Sequence, residues 1–178
     1  MNLVYYPDPL LKKIAQPIEK IDARLEEFVD EMFQAMFKYK GCGLAAPQIG
    51  VSKRVLVYNH TDKMEDCIVL INPKILAQEG NDLGTEGCLS FPEIVGEVSR
   101  FHWIKVETLT LQGELKTFEA EDFHARVIQH EIDHLNGVLF TEKMEPQDVT
   151  LAQPELKKLQ KHYKSIQQNS KSRLTSIR

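Results

Sequence analysis

Apolar residues between Asp22 and Lys40 recur at intervals of three and four positions. Side chains at these intervals share one face of an α-helix, which is typical of a helix that packs one side onto a core. Asp22 can accept hydrogen bonds from the first free amides, and Gly41 and Gly43 follow the last periodic residue. We therefore predict an amphipathic helix from Asp22 to about Lys40. Its apolar stripe comprises Leu25, Phe28, Val29, Met32, Phe33, Met36 and Phe37.

Outside this helix, the chain from its start to the end of the middle third is predicted to be mainly extended. Pro7, Pro9 and Pro17 favour extended backbone with at most one short helix in the opening segment. Further on, short runs rich in β-branched and aromatic residues alternate with turn residues, which indicates strands. The predicted strands are Arg54–Tyr58, Cys67–Asn72, Ile94–Ser99, Trp103–Leu111 and Leu115–Ala120.

The run Trp103–Leu111 alternates apolar and polar residues, but in two phases. Its apolar positions are Ile104, Val106, Leu109 and Leu111. A period of two predicts a half-buried antiparallel strand. The slip by one residue predicts either a bulge near Glu107 or Thr108, or a change in which face of the strand is covered.

Two more helices are predicted in the last third of the chain. One spans about Asp122 to Asn136, with Gly137 placed to cap its end. The other spans about Gln153 to Gln168, and residues after Ser170 lack apolar periodicity and are expected to fray as a flexible tail. Helices flanking a group of strands, without βαβ alternation, indicate an α+β fold.

Composition narrows the functional classes. With 178 residues, 42% of them apolar and 27% charged, the chain fits one globular domain spanning residues 1–178. A formal net charge of −4 gives no indication of DNA or anionic-membrane binding. No apolar run is long enough for a membrane helix, and Met1–Leu10 lacks the pattern of a signal peptide. An odd number of cysteines is a poor disulfide framework, so we expect a cytoplasmic protein, with a bacterial cytosol favoured.

The segment His130-Glu131-Ile132-Asp133-His134 carries the strongest chemical signal. Residues four apart lie on one face of a helix, so both imidazoles can reach one metal ion. Glu131 can lean over the same site and accept a proton from bound water without being a ligand. A surface helix with two solvated histidines is the alternative. The apolar neighbours Val127, Ile128 and Leu135 argue against it.

A catalytic site of this kind keeps three protein ligands and an open position, so a third ligand is needed. Cys88, within Glu86-Gly87-Cys88-Leu89-Ser90 and just after the turn residues Gly84 and Gly87, is the preferred candidate. Acids further along the chain are the alternatives, namely Glu142, Glu145 and Glu155. An isolated cysteine is more often a small buried apolar residue, which is how we interpret Cys67, predicted to lie inside a strand. One thiolate with two imidazoles suits Zn, Fe(II), Ni or Co.

The segment Gly41–Gly50 is the third notable feature. Its glycines and alanines let a backbone come close to a ligand, and the side-chain amide of Gln48 can donate to an oxyanion. A helix end followed by a tight turn accounts for the same residues equally well. The glycine spacing fits neither a phosphate loop nor a dinucleotide fingerprint.

Taken together, three segments of this chain resemble peptide deformylase. They are GLAAPQ at Gly43–Gln48, EGCLS at Glu86–Ser90 and QHEIDH at Gln129–His134, in the order and approximate spacing of that family. The likeness runs from Pro7 through the third helix. It implies mixed, mainly antiparallel sheets packed around a central metal-binding helix, with a C-terminal helix. The main departure is Cys42, where family members more often carry Ile or Val.

The resemblance also implies roles for individual residues. Cys88, His130 and His134 would hold the metal, which in this family is commonly ferrous iron, with Zn or Ni expected in purified material. Glu131 would be the general acid–base. Gln48 and the backbone N–H of Leu89 would stabilise the oxyanion, and the backbone of Gly43 would meet the substrate peptide. Glu86 and Arg100 would form a supporting ion pair, unless they are an ordinary surface pair.

The implied substrate is a nascent polypeptide that begins with N-formylmethionine. Phe123 and Val127 lie on helix turns before His130 and either line an apolar pocket for the methionine side chain or pack in the core. A basic third helix and tail are expected to be a solvated face or, alternatively, to contact ribosomal RNA. The basic residues are Lys157, Lys158, Lys161, Lys164, Lys171, Arg173 and Arg178.

Two other functions share some of these features. A metallopeptidase of the HExxH kind has the same ion and glutamate but usually a histidine or acid as its third ligand. A structural metal site or binding module would need a fourth ligand, and His124 is near in sequence. His124 projects from a different side of the helix than His130, which argues against that reading.

Overall fold

The computed structural model describes residues 1–59, 61 and 66–175, and of 169–175 it describes the backbone alone. The helices are α1 (Ala23–Lys38), α2 (Asp122–Leu135) and α3 (Pro146–Thr175). The strands are β1 (Gly43–Ala45), β2 (Val55–Tyr58), β3 (Ile68–Glu79), β4 (Asp82–Cys88), β5 (Phe91–Arg100), β6 (Trp103–Leu109) and β7 (Leu115–Glu121). Short 3₁₀-helices span Pro9–Lys12, Ala46–Ile49 and Phe140–Glu142.

The strands form two antiparallel sheets. Five of them pair in the order β1-β2-β3-β6-β7, while β4 and β5 form a separate two-stranded hairpin. The predicted α+β fold with mainly antiparallel sheets and a C-terminal helix is confirmed. Among the described residues, no helix combines the length and the apolar character that crossing a bilayer requires.

The larger sheet lies between α1 and α2. Successive side chains of a strand point to opposite faces of the sheet, so its apolar residues can contact a helix on each face. In β2, Leu56 and Tyr58 pack toward α2, whereas Val55 and Val57 pack toward α1. The central position of α2 follows from this arrangement. A third cluster joins the β4–β5 hairpin to α3 through side chains that include Phe91, Val98, Phe140, Met144 and Leu156.

The two phases of β6 reflect both a change in the covered face and an irregularity in the pairing with β3. Ile104 and Val106 face α2, while Leu109 contacts the cluster on the α1 side, so the covered face changes. Two register shifts lie in β3, between Ile71 and Lys74 and between Ile75 and Ala77, and the first is opposite the predicted position. Thr108 is buried there because its hydroxyl donates to the Ile71 carbonyl at 3.0 Å and accepts from the Ile71 amide at 2.9 Å.

The predicted ends of α1 need one correction. Asp22 caps the helix as predicted, accepting from the amides of Arg24 and Leu25 at 3.2 and 3.3 Å. The end of the helix, however, does not depend on a glycine in the left-handed region: that conformation is taken by Lys40, with φ of 58°. Gly41 is small for another reason, since a Cβ there would lie 2.7 Å from Cδ1 of Leu89.

The C-terminal helix is longer than predicted. It begins at Pro146, a residue favoured at the first helical position because its missing amide hydrogen is not needed there. The backbone is helical to Thr175. That the residues after Ser170 fray stays a prediction. The remainder of that predicted tail, 176–178, lies outside the described residues.

Candidate metal centre

Three predicted ligands converge beneath the β4–β5 hairpin. Cys88 is the last residue of β4, and His130 and His134 lie one turn apart on α2. One ligand atom from each residue lies within 4.8 Å of the other two. The Cys88 Sγ is 3.2 Å from Nε2 of His134, and the two imidazole centroids are 5.1 Å apart.

The two buried rings differ in protonation, and His134 is the one that is held in the form that binds a cation. Burial lowers the pKa of His134 well below its usual value and keeps the ring neutral, the form that binds metals. Burial also opposes charge on His130, but hydrogen bonds with Cys88 and Glu86 raise its pKa well above the usual value. Nδ1 of His130 contacts a Glu86 oxygen at 2.9 Å, which leaves Nε2 for the thiol side of the site. A histidine held by a carboxylate in this way is typical of metal ligands.

The rival ligands lie elsewhere. Within the described part of the chain, the group formed by Cys88 and the two histidines includes no acid. Glu142 is paired with Lys12, and Glu155 is paired with Lys158. His124 contacts the Tyr58 hydroxyl at 2.8 Å on another side of α2, so it is not a fourth ligand.

Glu131 is buried beside the cluster, and its Oε2 has no hydrogen-bond partner among the described residues. Burial raises the pKa of its carboxyl to about 7, although the charge of His130 opposes that shift. A Cβ on Gly43 would lie 2.8 Å from Cδ of Glu131. The glycine in β1 therefore makes the space that this carboxylate occupies.

Gln48 reaches the cluster from the 3₁₀-helix that follows β1. Its Oε1 accepts from the Ala45 amide at 2.8 Å, so the side-chain orientation is fixed by the first turn of the 3₁₀-helix. The NH₂ group is consequently directed toward the site and lies 3.5 Å from Sγ of Cys88. An amide held in this way can donate to negative charge that develops near the thiol.

A cavity of ≈ 520 Å³ opens onto this cluster. All predicted site residues except His134 line it. Phe123 is 53% exposed at the cavity and Val127 is 4% exposed, so Val127 both lines the cavity and belongs to the core. The exposed Cys42 also lines the cavity, whereas Cys67 lies just before β3 and accepts a contact from Asn59.

A charged network supports the ligands from behind. The predicted pair of Glu86 and Arg100 is buried, with side chains 5% and 2% exposed, and its two contacts measure 2.8 and 2.9 Å. Burial alone would raise the pKa of Glu86, but Arg100 and His130 outweigh it and hold that pKa well below the usual range. Arg100 also donates to Asp133, which Lys143 contacts at 2.9 Å.

Comparison with known proteins agrees with this geometry. The sequence model of the family described as Polypeptide deformylase matches residues 1–150. The chain belongs to this family. Peptide deformylase 1 of Clostridium acetobutylicum is 50% identical over 139 residues, covering 78% of this chain and 91% of the relative. The peptide deformylase of Neisseria gonorrhoeae is 40% identical over 162 residues, covering 91% and 97%.

Solved structures extend the similarity to the fold. A Plasmodium falciparum peptide deformylase matches with a TM-score of 0.90 and 38% identity, covering 92% of this chain and 98% of that one. Peptide deformylase 1B of Arabidopsis thaliana matches with a TM-score of 0.88 and 38% identity, covering 93% of each chain. The deformylase family is metal-dependent, and membership favours the deformylase reading over the metallopeptidase.

Several functional contacts of this deformylase were not predicted. Arg126, Asp133 and Lys143 join the network around Glu86, and the sequence analysis assigned none of them a role. A signal exists for two of these residues. Arg126 precedes His130 by one helical turn and Asp133 follows it by about one turn, so both share the face of α2 that carries a ligand.

Proposed function

We propose that this deformylase hydrolyses the terminal formamide of nascent polypeptides that begin with N-formylmethionine, releasing formate and a free amino terminus. The proposal depends on the cavity of ≈ 520 Å³ that opens beside Cys88, His130 and His134. On its wall lies a buried carboxylate oxygen of Glu131 that has no hydrogen-bond partner among the described residues.

Cys88, His130 and His134 would hold one divalent ion. When bound, the ion lowers the pKa of a water molecule and polarises the formyl carbonyl. We propose Fe(II) in the cell and Zn, Ni or Co as alternatives that the same thiolate and imidazoles accept. Metal analysis of protein prepared without air tests this choice, and a Zn-only preparation with full activity would contradict it.

The chain's own residues move the proton and orient the substrate. Glu131 accepts a proton from water while the water oxygen attacks the formyl carbon. It then gives that proton to the leaving amine as the C–N bond breaks. The Gln48 amide and the Leu89 N–H donate to the oxygen that gains negative charge. The products are formate and the peptide amine.

The cavity walls would position the formylated chain end. Gly43 lines the cavity, and its backbone would meet the substrate peptide. Phe123 and Val127 present apolar surface that suits the thioether side chain of methionine. Since the substrate is a newly made chain, the proposal includes a cytoplasmic location, where translation occurs in a bacterium.

Formate release from a formyl-Met peptide is the direct test of the proposal. We expect the metal-loaded protein to release formate, the same peptide without the formyl group to give none, and a strong chelator to stop the reaction. Readdition of Fe(II) without air should restore it. Cleavage of internal peptide bonds without formate release would overturn the proposal in favour of the metallopeptidase.

We further propose that α3 contacts the ribosome. Lys157, Lys161 and Lys164 are exposed and follow one another at helical spacing, and Lys158 is already paired with Glu155. Such a cationic face suits the phosphate backbone of RNA. The side chains of Lys171 and Arg173 are not described, and Arg178 lies outside the described residues.

We expect the replacement of Lys157, Lys161 and Lys164 by glutamate to lower the fraction of protein that co-sediments with ribosomes at low salt. Formate release from a short peptide should stay unchanged. Added salt should weaken the binding of the unaltered protein, because released counterions contribute to affinity for RNA. Ribosome binding that persists in the triple variant would contradict this contact.

A further inference from the structure

Arg126 joins α2 to both strands of the β4–β5 hairpin. Its Nη1 donates to the Val98 carbonyl at 2.8 Å, to Oε1 of Glu86 at 2.9 Å and to the Gly84 carbonyl at 3.3 Å. Its Nη2 donates to the Asp82 carbonyl at 2.6 Å. One guanidinium from α2 thus contacts two carbonyls of β4, one of β5 and the carboxylate that also holds His130.

The backbone of the hairpin is shaped to accept this guanidinium. A Cβ at Gly84 would lie 3.0 Å from both Cζ and Nη2 of Arg126. A side chain at this position would therefore push the guanidinium away from the strand. Arg126 is only 7% exposed, so its charge is almost removed from water and depends on these acceptors and on Glu86.

The hairpin needs such a link because the two sheets are separate. Strands β4 and β5 pair only with each other among the described strands, so no sheet hydrogen bond fixes their distance from α2. On its far side the hairpin is held to the start of α3, where the Glu97 amide donates to Asp148 at 2.8 Å. On the α2 side, the links are the contacts of Arg126, the contact of Arg100 with Asp133, the contact of Glu86 with His130 and, just after β5, the pairing of Gln129 with the backbone of Phe101.

Cys88 is the last residue of β4, whereas His130 and His134 belong to α2. The distance between the thiol and the imidazoles therefore depends on how the hairpin sits on the helix. Arg126 precedes His130 by one turn on the same helical face and grips the strand that ends in Cys88. It also shares the Glu86 carboxylate with Nδ1 of His130.

We propose that Arg126 is a positioning residue for the metal centre: it clamps the β4–β5 hairpin onto α2 and thereby keeps the Cys88 thiolate within reach of the ion that His130 and His134 hold. This inference rests on the ligand roles given under the proposed function. Arg126 is not a member of the ligand group. Its side chain also lines the cavity, but its proposed role is exerted through the geometry of the ligands.

Release of metal tests the clamp. The protein is loaded with Co(II), whose thiolate charge-transfer absorption reports the Cys88 bond, and its decay is followed after addition of excess chelator. In Arg126→Met we expect release about 10- to 100-fold faster than in the unaltered protein, because loss of a group that orients metal ligands weakens metal affinity by about that factor. Arg126→Lys should recover only part of the loss, because a single ammonium cannot span carbonyls on two strands.

Arg54→Met is the matched control. Arg54 also donates to backbone carbonyls, that of Leu135 at the end of α2 at 3.3 Å and that of Pro73 in β3 at 3.2 Å. These contacts link α2 to β3 and not to the hairpin. We expect Arg54→Met to lower the melting temperature and to release Co(II) at the unaltered rate. A merely structural role for Arg126 would make the two methionine variants behave alike.

The results separate the two levels of inference. If the unaltered protein shows no thiolate absorption with Co(II), the proposed ligand set fails, and this inference fails with it. If that absorption is present but both Arg126 variants release Co(II) at the unaltered rate, or Arg54→Met speeds release equally, only the clamp is wrong. If Arg126→Met does not melt cooperatively, Arg126→Lys decides the question by the same readout.

Discussion

Replacing Glu131 with glutamine is expected to lower kcat for deformylation by about 10²- to 10⁴-fold, the usual contribution of a positioned general acid–base. The amide has the size of the carboxylate and fits the space opened by Gly43, so the site should keep its shape. It cannot accept the proton from water, however, and proton transfer to the leaving amine is lost with it. Formate release and metal content per chain are the two measurements.

The metal measurement separates proton transfer from metal binding. Glu131→Gln should retain the ion, since Glu131 is not a member of the ligand group formed by Cys88, His130 and His134. Glu142→Gln serves as the control, because Glu142 lies in an exposed pair with Lys12 and was a rival ligand in the sequence. It should keep both metal and activity. Wild-type turnover by Glu131→Gln would refute the assigned role.

Features decided within a single helix could be predicted from the sequence alone. The spacing of His130 and His134 places both rings on one face whatever the rest of the chain does, because the helical period is local. The cap at Asp22 and the glycine at Gly137 are local features in the same sense. Gly137 adopts φ of 71°, the left-handed conformation that follows the end of a helix.

Features decided by distant contacts were harder to predict. Gly84 and Gly87 were interpreted as turn residues, yet both lie inside β4. At Gly84 a Cβ would lie 3.0 Å from the guanidinium of Arg126, and Gly87 is paired with Val95 in the hairpin. No pattern within the segment reveals such neighbours, so the strand was missed.

The same distinction applies to the site. Cys88 could be preferred to the downstream acids from its own segment, and the family likeness implied the same ligand. The convergence itself could not be predicted, because the cysteine is 46 positions from His134 and no local rule brings a strand end onto a helix. Arg126 was missed because an arginine on a helix is usually solvated. It is buried because its guanidinium contacts Glu86, a residue of β4 that is distant in the sequence.

The network also explains why one carboxylate is surrounded by so many donors. Glu86 accepts from Arg100, Arg126 and His130 at once, and a buried carboxylate with this many charged donors stays ionised. An ionised Glu86 fixes the orientation of the His130 ring, which leaves Nε2 directed to the metal position. Thus the residues behind the ligands determine the form in which the ligands are presented.

Replacing Cys88 with alanine is expected to abolish metal binding and, with it, formate release. Two imidazoles on one helix would remain, and a site with two protein ligands binds divalent ions far more weakly than one with three. The lost thiolate is also the only negatively charged member of the group. Metal content after dialysis and formate release from a formyl-Met peptide are the measurements.

Cys67→Ala controls for the loss of a cysteine as such, since the Cys67 sulfur contacts Asn59 away from the cavity and its removal should leave metal and activity intact. The Cys88 variant also decides between the two hydrolases. A deformylase needs this sulfur, whereas a metallopeptidase would draw its third ligand from a histidine or an acid. Cys88→Ala protein that keeps its ion and cuts internal peptide bonds would therefore contradict the proposed ligand set. It would show that the paired histidines find their third ligand elsewhere.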